Sequence, residues 1–288
     1  MRETIEFRIS EDKARLYLKP DEGKVFGSTM SVRKLLLDAN DIRVARIGKI
    51  DRELWKQGSF FVSSWDVRRK YTKKELEAAE LFQLKVRATF EPDGALCGTE
   101  YDDTSGCPHC AVGARQLNEL RLDPSSLPRG KDIAQTIAYS EVIVSARLVE
   151  ALQAHGITGA RFLPVLRKGG RGVIDSWYQL KVTSQPLGVA PGTRFGINLF
   201  DPDEAGEYRC PYGHILGLNI LSALSVVRED WDGSDVCATK QCVGYRVEGG
   251  AFRPNPLFLI SQKLRKLLGE LKAKGFELEV AHLIGATD

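Results

Sequence analysis

The sequence lacks a run of apolar residues long enough to cross a bilayer. Its longest apolar stretch, residues 215–227, is interrupted by Asn219, Ser222 and Ser225, and it is shorter than the roughly 20 residues that a spanning helix needs. The amino-terminal residues alternate charged and apolar side chains, without the apolar segment of a secretory signal. We therefore expect a soluble, cytoplasmic protein.

An excess of charge of one sign is also missing. The chain has 41 basic and 38 acidic residues and a net charge of +3, which argues against a dedicated nucleic-acid-binding protein. The motifs GxSxG and HExxH and a phosphate-binding loop are absent. His109, His155 and His282 have no nucleophile or carboxylate partner in local sequence. These absences favour a protein that is not an enzyme.

The six cysteines are the most informative residues present. In a reducing cytoplasm, paired cysteines indicate metal or redox chemistry more than disulfides. Cys107-Pro-His-Cys110 lies in a turn-rich stretch, and Cys210-Pro-Tyr-Gly-His214 follows much later in the chain. Three thiols and one imidazole are a complete tetrahedral ligand set for zinc, with no position open for a substrate. The sequence therefore predicts a structural Zn²⁺ site formed by Cys107, Cys110, Cys210 and His214.

Other ligand sets stay open. Cys237 and Cys242 could supply the second pair, Cys97 could take part, or the thiols could be buried without a metal. Cys107 and Cys110 also have the Cys-x-x-Cys form of a dithiol oxidoreductase. Such a centre needs a strand before the first cysteine and a helix that begins at it, whereas residues 101–106 are typical of a turn.

The amino-terminal ninety residues read as strand-rich. Apolar alternation predicts strands at Thr4–Ile9, Arg15–Leu18, Ile42–Ile47 and Phe60–Trp65. Thr72 and Glu75 form a capping box, which predicts a short helix through about Phe82. A strand is expected at Gln83–Phe90.

Two segments of the second half share one pattern: a strand, a serine N-cap, a helix, a glycine and a second strand. The first segment has a strand at Val142–Ser145, a helix that ends near Gly156, and a strand at Ala160–Val165. The second has a strand at Leu257–Ser261, a helix at Gln262–Lys274, and a strand at Gly275–Ala281. We call the two segments β-Ser-α-Gly-β units. The run at 215–227 fits either a strand or a core helix.

These patterns predict an α+β fold, a mixed sheet with helices packed on it, two β-Ser-α-Gly-β units and an inserted zinc knuckle. Residues 1–95 form the β-rich amino-terminal part, and residues 96–288 form the zinc-clasped α+β part. No low-complexity linker separates the parts, so we expect one continuous globular unit.

From Cys97 to the carboxyl end, about two thirds of the chain resembles the myxobacterial double-CxxCG motif paralogues, which are bacterial immunity proteins of the Sit type. The resemblance rests on the Cys-Pro-x-Cys knuckle, the serine–helix–glycine unit at 144–159, the second Cys-Pro centre, and the ending Ile-Ser followed by Gly-Phe-Glu-Leu-Glu-Val. The chain departs from the family pattern where Ala111 replaces the glycine of the first motif, and where His214 ends the second.

The resemblance implies a cytoplasmic protein that binds and neutralises a cognate protein toxin, with the metal site at 107, 110 and 210. The toxin, the interface and the oligomeric state do not follow from it. A zinc-knuckle nucleic-acid-binding protein is the second hypothesis, in which Tyr101, Tyr212, Arg115 and Arg209 contact bases and phosphates. A thiol-disulfide oxidoreductase is the third.

Overall fold

A computed structural model describes residues 1–27, 30–110, 112–138, 141–170, 172–244 and 254–285. It is a mixed α+β structure, in agreement with the predicted class. Contacts divide the chain into two compact units. The first unit comprises Met1–Ala78 with Asn198–Asp201, and the second comprises Ala79–Ile197 with Pro202–Asp288. The sequence places its own boundary later, after residue 95.

The first unit is built on one antiparallel sheet. Its elements are β1 (Arg2–Ser10), α1 (Glu11–Tyr17), β2 (Lys24–Phe26), β3 (Val32–Asp38), α2 (Ile42–Trp55), β4 (Ser64–Lys70) and α3 (Lys73–Ala78). The strand order is β2-β3-β1-β4. Phe7, Ile9, Leu35 and Ile47 are fully or almost fully buried in its core. The strand predicted at Thr4–Ile9 is confirmed.

The strands predicted at Arg15–Leu18 and Ile42–Ile47 are wrong. Residues 15–17 are the end of α1, and Ile42–Ile47 are the first residues of α2. Ala14 of α1 and its C-cap residue Leu18 are both buried, while Leu16 is 76% exposed. In α2, the Asp41 side chain accepts a hydrogen bond from the Arg43 backbone N–H, as an N-cap does. A local alternation of apolar residues was therefore overridden by capping and by burial at helical spacing.

The capping box at the start of α3 is present as predicted. The Thr72 hydroxyl accepts from the Glu75 N–H at 3.2 Å, and the Glu75 carboxylate accepts from the Thr72 N–H at 2.7 Å. The helix ends at Ala78 rather than near Phe82, because Leu81 and Phe82 are fully buried in the next strand.

The second unit contains most of the strands. They are β5 (Leu81–Val86), β6 (Thr89–Phe90), β7 (Tyr101–Asp102), β8 (Arg115–Gln116), β9 (Arg121–Leu122), β10 (Ile133–Thr136), β11 (Val142–Ser145), β12 (Ala160–Arg167), β13 (Val173–Val182), β14 (Phe195–Asn198), β15 (Asp201–Pro202), β16 (Ile215–Leu216), β17 (Asn219–Ile220), β18 (Ser225–Val227), β19 (Val236–Gly244), β20 (Asn255–Ser261) and β21 (Phe276–Ile284). The helices are α4 (Ala146–Ala154) and α5 (Gln262–Glu270). The ambiguous run at 215–227 forms short strands.

Two six-stranded sheets organise this unit, where the sequence predicts one. The first sheet has the order β6-β10-β11-β13-β12-β9, and the second has the order β16-β19-β20-β5-β21-β18. Each is mixed, since antiparallel pairs occupy the centre and parallel pairs lie at the edges. Among the described residues, no helix is long and apolar enough to cross a membrane.

The two sheets repeat one arrangement. In the first, β11-α4-β12 has its two strands parallel, with β13 antiparallel between them. In the second, β20-α5-β21 has its two strands parallel, with β5 antiparallel between them. We call residues at the same position of the two arrangements corresponding residues. Gln179 pairs with Leu163 in the first sheet as Gln83 pairs with Glu279 in the second.

One helix lies against each arrangement. α4 packs on β11 and β13, and α5 packs on β20 and β5. Ser145 and Ser261 are the N-caps, each accepting a hydrogen bond from the backbone N–H three residues later. The buried stripes at helical spacing are Leu148, Val149 and Leu152 in α4, and Leu264, Leu267 and Leu268 in α5.

A buried aspartate supports each N-cap. The Asp235 carboxylate accepts from the Ser261 hydroxyl at 2.6 Å, from the Thr158 backbone N–H at 3.1 Å and from the Lys263 ammonium at 3.3 Å. Thr158 lies two residues before β12. Asp235 therefore connects the N-cap of α5, in the second arrangement, to the first arrangement. Burial acts to raise the pKa of Asp235, but these donors outweigh it and lower that pKa.

Asp132 makes the reciprocal contacts. Its carboxylate accepts from the Ser145 hydroxyl at 3.0 Å, from Arg147 at 2.7 Å and from the Lys274 backbone N–H at 2.9 Å. Glycines allow the adjacent backbone approach. A Cβ on Gly275 would lie 2.0 Å from the Ile133 carbonyl oxygen, and Gly275 has a φ of 111°. Each aspartate thus joins the helix N-cap of one arrangement to a backbone N–H of the other, and the two sets of contacts hold the sheets together.

Asp235→Asn should lower the free energy of unfolding by about 2 kcal/mol at pH 7, because charge-assisted bonds are lost at a buried site. The lowered folded-state pKa stabilises the wild type above the ordinary aspartate pKa, near 4, and that stability is lost as the pH falls through the folded value. The difference between variant and wild type should therefore shrink below about pH 4. Urea unfolding across pH measures it, with exposed Asp175→Asn as the control; a pH-independent difference would contradict the assignment.

Candidate metal centre

The first ligand-bearing turn, residues 107–110, follows a short 3₁₀ helix at Asp103–Ser105. The Cys107 backbone N–H donates to the Val112 carbonyl at 2.8 Å, which closes the turn. The turn lies inside the hairpin of β7 and β8, where Tyr101 pairs with Gln116. Cys107 is half-buried and Cys110 is buried. Both thiols therefore come from a backbone segment that is closed at its base.

The second ligand-bearing turn, residues 210–214, lies between β15 and β16. The Cys210 backbone N–H donates to the His214 carbonyl at 3.1 Å, and the Gly213 N–H donates to the Cys210 carbonyl at 2.7 Å. Directly after it, β16 pairs in parallel with β19, so that Ile215 lies opposite Val243. This pairing anchors the turn to the edge of the second sheet.

The structure brings all four predicted ligands together. The ligand atoms of Cys107, Cys110, Cys210 and His214 lie within 4.8 Å of one another. The Cys107 and Cys210 sulfurs are 4.0 Å apart. The His214 Nδ1 atom is 3.3 Å from the Cys110 sulfur and 3.4 Å from the Cys210 sulfur.

These separations match a tetrahedral site. Zinc lies about 2.3 Å from sulfur and about 2.0 Å from nitrogen, which places ligand sulfurs about 3.8 Å apart and sulfur and nitrogen about 3.5 Å apart. The separations in the structure are close to both values. The cluster can therefore hold one metal ion with four protein ligands.

The protonation equilibria fit this chemistry. Burial acts to raise the pKa of Cys107, but the backbone N–H groups of His109 and Cys110, together with the Cys110 and Cys210 thiols, outweigh it, and the pKa is lowered. Burial raises the pKa of Cys110 to about 11. Burial lowers the pKa of His214, which favours the neutral imidazole that a metal requires. A cation would have to hold Cys110 as thiolate. Protons compete for that thiolate, so metal affinity should decrease as the pH decreases.

The remaining cysteines lie outside the cluster. Cys237 is fully buried and its thiol donates to the Ser234 carbonyl at 3.4 Å, within the apolar core of the second sheet. Cys97 is buried at the end of a 3₁₀ helix. Cys242 is close enough for the three ligand cysteines to raise its pKa, though burial is the main cause. It is the one cysteine outside the set that a rearranged site could recruit.

The lone histidines do not join the cluster. His109 is exposed, and its ring lies 5.2 Å from that of Tyr212. His155 caps α4, where its Nδ1 contacts the Ala151 carbonyl. His282 is exposed on β21. Ala111, the departure from the first motif, lies outside the described residues.

The setting of a dithiol oxidoreductase is not found around these cysteines. Residues 108–110 form a turn, and 112–114 have no regular structure before β8. Among the described neighbours, no helix begins at Cys107, so no helix N-terminus stabilises its thiolate. One thiol and one imidazole of the opposite turn, from Cys210 and His214, also lie within 4.8 Å of the pair.

Sequence reasoning missed a second polar cluster, formed by Tyr101, Gln116, Glu141, Gln179 and Lys181. It surrounds a cavity in the second unit. The one available signal is a recurrence: Gln179-Leu-Lys181 repeats Gln83-Leu-Lys85 on the corresponding strands.

No protein-family profile and no curated protein matches this sequence.

Cys210→Ser should abolish stoichiometric metal binding and lower the free energy of unfolding by about 3 kcal/mol, since metal binding contributes to folding. That loss corresponds to about 10 °C in Tm. Metal content by mass spectrometry and thermal melting with and without a chelator are the measurements.

Cys242→Ala is the matched control, because Cys242 lies beside the cluster but outside it. It should keep one metal per chain. Loss of metal in this variant, or retention in Cys210→Ser, would show that the ligand set is different.

Proposed function

We propose that the ion is zinc and that its role is structural. Three cysteines and one histidine in tetrahedral positions are typical of zinc, and four protein ligands leave no position for a substrate or an activated water. The observation that supports this proposal is the closure of the set by two separate turns, whose ligands are 103 and 104 residues apart in the chain.

The zinc would connect the segment that leads into the first sheet with the segment that leads into the second. After the first turn the chain continues through β8 and β9 to Asp132, and after the second it continues through β16 and β18 to Asp235. Asp132 follows Cys107 in the sequence at the same separation as Asp235 follows Cys210. We infer that the clasp and the two aspartates stabilise one contact between the sheets.

We further propose that the protein is a cytoplasmic immunity protein that binds and neutralises a cognate bacterial toxin. Its support is the resemblance of the Cys-Pro turns and the serine-capped helices to the double-CxxCG paralogues. A filled ligand set favours a protein that acts by presenting a surface. Occlusion of the toxin's active site would require no chemistry from this chain.

The nucleic-acid hypothesis has less support at the same site. The Tyr101 hydroxyl donates to the buried Glu141 carboxylate, so this aromatic side chain is committed to an internal contact. Arg209 lies 3.7 Å from the Asp203 carboxylate and above the Phe195 ring. Tyr212 is 58% exposed beside His109, but a single exposed aromatic does not make a stacking platform.

Production of this protein should restore growth to cells that express the toxin encoded beside its gene. The two proteins should also copurify at equal stoichiometry. Cys107→Ser should reduce protection in proportion to the loss of folded protein, while Cys242→Ala should protect as well as the wild type.

Growth inhibition that persists in the presence of well-folded, metal-loaded protein would contradict the immunity proposal. It would leave the zinc assignment intact, since metal content is measured on the purified chain.

A further inference from the structure

A cavity of about 370 Å³ lies in the second unit, apart from the metal ligands. One wall is the end of β13, with Gln179, Lys181 and Val182. Other parts of the lining include Glu141 and Phe258. The volume is at the lower end of the range for small-molecule sites, and the lining is about equally polar and apolar.

Lys181 is a half-buried cation in this cavity. Its ammonium donates to the Gln116 side-chain oxygen at 2.8 Å, and the Gln179 amide donates to the same oxygen at 2.8 Å. Within the described part of the chain, Lys181 forms no salt bridge. Burial lowers the pKa of Lys181, although the charge of Glu141 acts in the opposite direction. The side chain has donors left for a ligand.

Glu141 is already occupied by other donors. Its carboxylate accepts from the Gly94 backbone N–H at 3.1 Å, from the Tyr101 hydroxyl and from the Thr136 hydroxyl. Burial raises the pKa of Glu141. Glu141 lines the cavity, but its carboxylate accepts hydrogen bonds from these three donors and not from Lys181. It therefore does not act as the counter-ion of Lys181.

The corresponding position in the second sheet has a counter-ion. Lys85 corresponds to Lys181, and its ammonium lies 2.6 Å from the Glu279 carboxylate. Glu279 corresponds to Leu163, because these residues face Gln83 and Gln179 respectively. The same lysine is therefore paired in one arrangement and lacks the carboxylate in the other. A partly buried charge without a counter-ion loses hydration that nothing replaces, and a bound anion would compensate it.

We propose that this cavity binds a small organic monocarboxylate, with the carboxylate at Lys181 and Gln179 and the apolar body against Ala238, Pro256 and Phe258. A single negative charge fits because one cation is available and Glu141 is close by. Amide donors beside the ammonium match a carboxylate, whereas a dianionic phosphate would need further cations.

The test uses lysine modification of the full metal-loaded chain by limiting acetic anhydride, measured residue by residue with mass spectrometry. Propionate, butyrate and hexanoate are the probes. At least one should slow modification of Lys181 threefold or more, while Lys85 is an internal control and should not change. Butyramide and inorganic phosphate should give no protection. Protection by phosphate equal to that by butyrate, or no protection by any carboxylate, would overturn the proposal.

Leu163→Glu keeps the lysine and introduces the carboxylate that Lys85 already has. This variant should lose carboxylate protection without a fall in Tm, and Glu279→Leu should gain protection at Lys85. Persistent protection in folded Leu163→Glu would overturn the assignment. The outcome is independent of toxin neutralisation.

Discussion

The meeting of two Cys-Pro turns is the contact on which the proposed architecture depends. Neither turn has four ligands of its own, and each is closed only by short backbone hydrogen bonds. The cluster forms because the edge pairing of β16 and the hairpin of β7 and β8 hold the turns at tetrahedral separation. A metal at this point would stabilise a contact between segments that are distant in the chain, because its binding free energy favours the folded state.

The sheets show why such a contact is useful. The central strand of the first sheet, β13, follows its helix–strand unit in sequence, whereas the central strand of the second, β5, precedes every other strand of that sheet. The centre of the second sheet therefore depends on pairings of long sequence separation, such as those of Gln83 with Leu259 and Glu279, which lose more chain entropy before they form. Asp132 and Asp235 reinforce the arrangement from within, and the proposed clasp would reinforce it at the edge.

Local sequence signals predicted the parts that depend on local physics. The serine N-caps, the leucine stripes and the two ligands within each Cys-Pro turn follow from side chains close together in sequence. The helix at Ile42–Trp55 was missed because its first residues alternate like a strand, and the single signal against this was the capping Asp41. The split into two sheets could not be predicted, because the strand between β11 and β12 is set by tertiary pairing. The cavity at Lys181 was missed for the same reason: the absence of a carboxylate at Leu163 has meaning only once the two strands are aligned with β5 and β21.

X-ray absorption at the zinc edge on the purified chain tests the central claim most directly. The account predicts three sulfur neighbours at about 2.3 Å and one nitrogen at about 2.0 Å. Four sulfur neighbours would place Cys242 in the position assigned to His214, and an oxygen neighbour would mean an open coordination position. Either result would contradict a closed structural clasp formed by Cys107, Cys110, Cys210 and His214.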